Sequence, residues 1–172
     1  AVVDKVAARV FVYDARGELV GETAALLGAA RGDRSTPWTG DREPSELRPE
    51  EKTTPAGRFR AGLGRNLAGR EVLWVDYDTA TSLHPVLTNR PEERRPQRLA
   101  SATPDDNRIS NGCINVPAAF FREIVRPTFA GRGGRVRTYS NSWAAHSALP
   151  TATSSAASAS RRGARSSTSS AA

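Results

Sequence analysis

Two side chains stand out as able to do chemistry, one cysteine and one histidine. Cys113 is the only cysteine of the 172-residue chain. It lies in Arg108-Ile109-Ser110-Asn111-Gly112-Cys113-Ile114-Asn115-Val116-Pro117. Small and polar residues precede it, where a tight exposed turn needs them. Asn115 is a good helix N-cap, and Pro117 suits a first helical turn, where its missing N–H would be unsatisfied anyway. An apolar-periodic run follows at Phe120, Phe121, Ile124 and Val125. The spacing predicts Cys113 on a turn one or two residues before a helix. The helix dipole and unpaired N–H groups there lower a thiol pKa, and the same N–H groups can hold an oxyanion. The alternative is a small buried apolar residue, the usual state of a lone cysteine. The neighbouring Asn111 and Gly112 favour the reactive reading.

A nucleophilic cysteine needs a base or a cation to hold its thiolate, and histidine is the usual partner. The chain offers His84 and His146. His146 falls in a low-complexity tail, which points to an exposed, idle side chain. His84 falls at a strand end. Alone it reads as a strand residue satisfied by local hydrogen bonds; beside a single pre-helix cysteine it reads as the partner of that thiol. The carboxylates are too scattered to single out an acid/base pair, and Asp105 and Asp106 next to Arg108 read as loop or ion-pair residues. Neither a phosphate-cradling glycine loop nor a metal-ligand cluster is present in the sequence, so no cofactor or metal is expected.

The elements that must position these groups are mainly strands. Residues 1–8 read as a short lead-in. Arg9–Tyr13 reads as a strand, Asp14–Gly17 as a turn and Leu19–Leu27 as one or two further strand pieces, an opening hairpin. From Gly28 to Thr54 the chain turns polar and Gly/Pro-rich, a long surface loop that Trp38 would pin; such loops are more often functional than idle. Thr53–Phe59 leads into the next strand, Gly62–Gly69 reads as a turn, and Glu71–Tyr77 is the strongest strand pattern. Thr79–Thr88 is another strand, with Pro85 at an edge or end. Asn89–Asn107 is a second polar segment. A helix from about Val116 to Arg126 follows the cysteine and stops at Pro127. Gly131–Gly134 is a turn and Arg135–Tyr139 a weak last strand. The expected architecture is mostly β, a sandwich or open barrel with one main helix after Cys113. It occupies residues 1–140, and 141–172 form an Ala/Ser/Thr/Arg tail too poor in apolar surface to fold.

Composition narrows the function classes. The net charge is +7 and methionine is absent. The chain begins at Ala1, the expectation for a processed or trimmed form. No run is long enough to cross a bilayer as a helix. The basic balance fits an anionic partner, but no nucleic-acid module and no basic stripe with interleaved aromatics is present. Nucleic acid is therefore not an expected partner. One cysteine excludes an intramolecular disulfide and a multi-cysteine zinc site.

Ser110-Asn111-Gly112-Cys113-Ile114-Asn115 resembles the Ser/Thr-His-Gly-Cys-x-Asn/Arg motif of L,D-transpeptidase catalytic domains, the YkuD family. Thr54-Pro55-Ala56-Gly57-Arg58-Phe59 resembles that family's upstream Thr-Pro-x-Gly-x-Phe element, and His84 stands where its first motif histidine does. Three elements in the right order cover roughly residues 8–139. The resemblance implies a β-sandwich-like fold with a cleft at the sheet's end, Cys113 as nucleophile and His84 as general base. It implies an oxyanion site formed by Gly112 and the Cys113 N–H, with positioning by Ser110, Asn111 and Asn115. The implied reaction forms a thioester with a peptidoglycan tetrapeptide stem, releases D-alanine, and transfers the acyl group to an amine on a second stem or an envelope protein. Hydrolysis of the same thioester, or wall binding without catalysis, are the alternatives. The implied compartment is the periplasm or cell envelope. Asn111 replaces the motif histidine and can hydrogen-bond but not transfer a proton. Pro85 replaces the usual Gly or Ser, and the stretch from His84 to Ser110 is longer than the usual spacing, so it is expected to act as a lid.

Overall fold

The computed structural model describes residues 1–36 and 42–140. Ten strands carry the structure: β1 (Val2–Asp4), β2 (Arg9–Tyr13), β3 (Leu19–Ala24), β4 (Leu27–Gly28), β5 (Gly57–Arg65), β6 (Glu71–Asp76), β7 (Thr81–Pro85), β8 (Arg108–Ser110), β9 (Ile114–Val116) and β10 (Gly134–Thr138). Eight of them form one sheet in the order β3-β2-β1-β10-β5-β6-β7-β9, and β4 pairs with β8. The ends of the large sheet nearly meet. Just past β3, Leu26 exchanges both backbone hydrogen bonds with Asn115 of β9, at 2.8 and 2.9 Å. The result is a mostly β, nearly closed, barrel-like sheet with few helices.

Alternation sets which side chains fill it. In β2, Val10 and Val12 are fully buried while Arg9, Phe11 and Tyr13 are partly exposed, the period-2 pattern of a one-sided strand. The core joins Val3, Val10 and Val12 to Leu73, Leu83, Ile114, Val116 and Val136, and Phe121, Val125 and Phe129 cap it. Hydrophobic burial on this scale is the main force holding the sheet curled.

Several sequence expectations are corrected. Residues 1–8 are not a lead-in, because Val2–Asp4 pairs with both β2 and β10 inside the sheet. The last strand, expected to be weak over Arg135–Tyr139, forms over Gly134–Thr138 and is central. β10 lies between β1 and β5, with Val136 and Thr138 turned inward and Arg135 and Arg137 outward. Its alternating arginines made it read as weak. The turn expected over 62–69 is confined to its second half, since β5 runs on to Arg65 and the chain reverses at Asn66–Gly69. Gly64 belongs to the strand, where a Cβ would stand 2.9 Å from a ring carbon of Trp74.

The helical stretch after Cys113 begins at Ala118, not Val116, and Pro127 does not end it. Helix α2 (Ala118–Phe120) continues through a π turn (Phe121–Val125) into α3 (Arg126–Phe129). Across that turn the Arg126 N–H reaches the Phe121 carbonyl, five residues back. The wider turn restarts the helix with Pro127 in its first turn, where no N–H is required. The polar stretch 89–107 is not featureless: it holds α1 (Arg95–Ala100) between two 3-10 turns. Trp38, His146 and the 141–172 tail lie outside the described residues.

Candidate active site

Cys113 and His84 are brought together by a parallel strand pair. β7 and β9 run side by side in the register Leu83↔Ile114, His84↔Asn115, Pro85↔Val116. Cys113 sits immediately before β9, so its half-buried sulfur faces the exit of β7. Ser82 Oγ lies 3.6 Å from the sulfur and the Ala80 carbonyl 3.7 Å from it. The prediction of a turn just before a helix is therefore revised. A strand separates Cys113 from Ala118, and Asn115 is a buried strand residue rather than an N-cap. Thiol activation here comes from side chains and strand N–H groups, not from a helix dipole.

The turn itself is held from behind. Gly112 has φ +129°, and a Cβ there would stand 2.8 Å from the Thr53 carbonyl oxygen, so only glycine fits. Thr54 Oγ1 accepts from the Gly28 N–H (2.9 Å) and donates to the Gly112 carbonyl (2.8 Å). Ser110 Oγ donates to the Cys113 carbonyl (2.6 Å) and accepts from the Gly112 N–H (3.1 Å). The Gly112 N–H is thus engaged. The Cys113 N–H has no protein partner among the described residues.

Hydrogen-bond chemistry fixes the histidine tautomer. His84 Nδ1 lies 2.8 Å from the Pro85 carbonyl oxygen, which can only accept, so Nδ1 carries the proton. Arg95 Nη1 donates to Asn115 Oδ1 at 2.6 Å; because guanidinium can only donate, the amide's orientation is set. That turns Asn115 Nδ2 toward His84 Nε2, 3.3 Å away. Nε2 therefore keeps its lone pair, as a base requires.

Burial is the strongest single influence on the Cys113 thiol and pushes its pKa up. The hydrogen bond and charge of His84, with the N–H and hydroxyl of Ser82, outweigh it, and the net direction is down. For His84, burial pulls down most strongly. The Cys113 thiolate and the Pro85 carbonyl push up, Arg95 pushes down, and the net direction is up. Each group raises the charged population of the other.

Cys113, Ser82 and His84 open into a cleft of about 540 Å³ bordered by Trp74, Leu87 and Phe121, with Arg65, Arg70 and Glu71 at its rim. A second cavity of about 520 Å³ lies across Leu87, lined by Lys52, Arg90, Arg95 and Asn111 among others. Exposed Asn111 thus faces this second cavity rather than the cysteine cleft. Of the residues singled out in the sequence, Cys113, His84, Gly112, Ser110 and Asn115 converge, and Asn111 stands aside. Sequence reasoning missed Ser82, the Pro85 carbonyl and Arg95. Ser82 carries a usable signal, because it precedes His84 by two positions on the same strand face. Among the described residues no group of three or more His, Cys, Asp or Glu could hold a metal ion, and no helix is long and apolar enough to cross a membrane.

Set against known proteins, the chain matches no family model, no curated protein and no solved structure.

Proposed function

We propose that the protein is a cysteine-dependent acyltransferase of the L,D-transpeptidase kind, acting on peptidoglycan stem peptides in the cell envelope. The observation that carries the reading is the Cys113–His84 pair in an open cleft, with Nδ1–H fixed on the Pro85 carbonyl and the Cys113 N–H unengaged. These supply a nucleophile, a base in the correct tautomer and an oxyanion donor, which acyl transfer requires together. The motif order around Thr54, His84 and Cys113 supports the substrate class. The arginines at the cleft rim and the net charge of +7 suit a carboxylate-bearing stem in an anionic wall.

In this mechanism His84 Nε2 takes the thiol proton and the Cys113 sulfur attacks the carbonyl carbon before the terminal D-alanine. The carbonyl oxygen becomes an oxyanion facing the Cys113 N–H. As the tetrahedral species collapses, the C–N bond breaks and Nε2–H protonates the leaving D-alanine amine. The thioester remains on Cys113. An acceptor amine then attacks it, His84 takes the amine proton, and the sulfur leaves to give a 3→3 cross-link.

Incubation with purified tetrapeptide muropeptides, beside Cys113→Ala, tests this by mass spectrometry. Cross-linked dimers with loss of D-alanine, absent from the Cys113→Ala sample, are the expected result. Tripeptide alone would move the assignment to a hydrolase with the same nucleophile. No Cys113-dependent product from folded protein would overturn the reading.

A further inference from the structure

Arg95 belongs to the segment between β7 and β8 rather than to the strands that carry the reacting pair. Its side chain is 15% exposed and ion-paired to Glu93, which is itself 18% exposed. Its other end holds the amide oxygen of Asn115, a residue 1% exposed within β9. The amide nitrogen of that residue points at His84 Nε2, whose ring is anchored on the far side by Pro85. The chain Glu93–Arg95–Asn115–His84 therefore runs unbroken from the inserted segment to the proton-accepting nitrogen. Without Arg95, the Asn115 amide keeps only a long 3.5 Å contact from Nδ2 to the Cys113 carbonyl to fix which end faces the imidazole.

We infer that Arg95 is a positioning residue that sets the protonation balance of the Cys113–His84 pair by locking the Asn115 amide with its N–H toward His84 Nε2. The inference rests on the pair assigned above but not on its peptidoglycan substrate. An amide N–H facing Nε2 stabilises the neutral imidazole, because an imidazolium would oppose donor to donor. A freed amide turns its oxygen to Nε2–H instead and stabilises the imidazolium, and with it the thiolate. The other charged groups facing this pair are Arg65, Arg70 and Glu71 across the cleft. None of these contacts the Asn115 amide. The 86–107 segment thereby acts on the reaction without touching the reacting atoms. It keeps His84 a competent base rather than a permanently charged partner.

The test is the pH profile of Cys113 alkylation by iodoacetamide in the full chain, which needs no muropeptide. In Arg95→Met the acid limb of the profile moves to lower pH, with a rate at pH 6 raised about fivefold, the factor set by one neutral hydrogen bond. Arg95→Lys, which keeps a charged donor, stays near wild type. In an Asn115→Ala background the Arg95→Met shift largely disappears. An unchanged limb in folded Arg95→Met would overturn the inference. So would shifts that simply add in the double variant, which would assign Arg95 a direct charge effect alone. A second measurement needs no variant. The 15N shifts of His84, one of two histidines, should report the Nδ1–H tautomer above its titration, and an Nε2–H tautomer would overturn the inference equally. Failure with muropeptides but success here would retire the substrate and leave the relay standing.

Discussion

At the scale of the residue, reactivity at Cys113 depends on a balance that burial alone would lose. Removing water from a thiolate raises its pKa, yet the sulfur stands beside an imidazole, a serine hydroxyl and a strand N–H that together reverse the direction. The wild-type thiol should therefore alkylate at pH values below the range of a free cysteine, about 8.5. His84→Gln removes the largest of the opposing influences and leaves burial dominant. Its alkylation limb should move to higher pH and its rate at pH 7 should fall, while melting shows the fold intact. An unmoved limb in that variant would mean that His84 does not hold the thiolate.

At the scale of the element, the cysteine turn is only as fixed as the loop behind it. Residues 49–54 bring Thr53 and Thr54 against Gly112, and Glu51 anchors that stretch. Its nearly buried carboxylate accepts the Arg48 N–H at 2.9 Å, and the Arg48 and Arg42 guanidinium groups at 3.2 and 3.0 Å. The Arg48 backbone bond, then the two guanidinium contacts, hold its pKa down from 4.5 to about 2. A carboxylate depressed in the folded state stabilises above its unfolded pKa, and that contribution is lost as pH falls through the folded value. The loop should thus loosen between roughly pH 4.5 and pH 2. Glu51→Gln should flatten that part of the melting-temperature profile, and hydrogen-exchange protection factors in residues 49–54 should no longer fall with acid. A wild-type profile flat over that window would refute the anchoring role.

At the scale of the whole molecule, one buried cation ties the two chain ends of the sheet to the long polar loop. Lys5 follows β1, and its side chain is fully buried. Its ammonium donates to the Gly32 carbonyl (2.8 Å) and to Asp33 Oδ1 (2.7 Å). Asp33 also accepts from Ser140 just past β10, and Arg108 donates to the Lys5 carbonyl. Burial pulls the Lys5 pKa down, and Asp33 partly opposes it. Removing the carboxylate strands a buried charge, so Asp33→Ala should cost about 3 kcal/mol in chemical denaturation. A loss near zero would show that water reaches Lys5 in its place.

The sequence by itself determined the local matters. Concentrated β-branched and aromatic residues in Arg9–Tyr13 and Glu71–Tyr77 specified strands, and a single cysteine preceded by Asn111 and Gly112 specified a turn. A mostly β fold follows from such patterns because each reports only on its own stretch of backbone. Tertiary structure decided what those patterns cannot encode. The N-terminal Val2–Asp4 and the arginine-rich Gly134–Thr138 became inner strands because each found partners more than a hundred residues away in sequence. Asn115 became a strand residue because pairing with both Leu26 and His84 outweighed its capping preference. The Pro85 carbonyl, Ser82 and Arg95 joined the site only through β7–β9 pairing and the folding of the 86–107 segment over it. Hydrogen-bond direction is a property of atoms in space. Which nitrogen of His84 carries the proton was therefore settled by neighbours that the order of residues does not name.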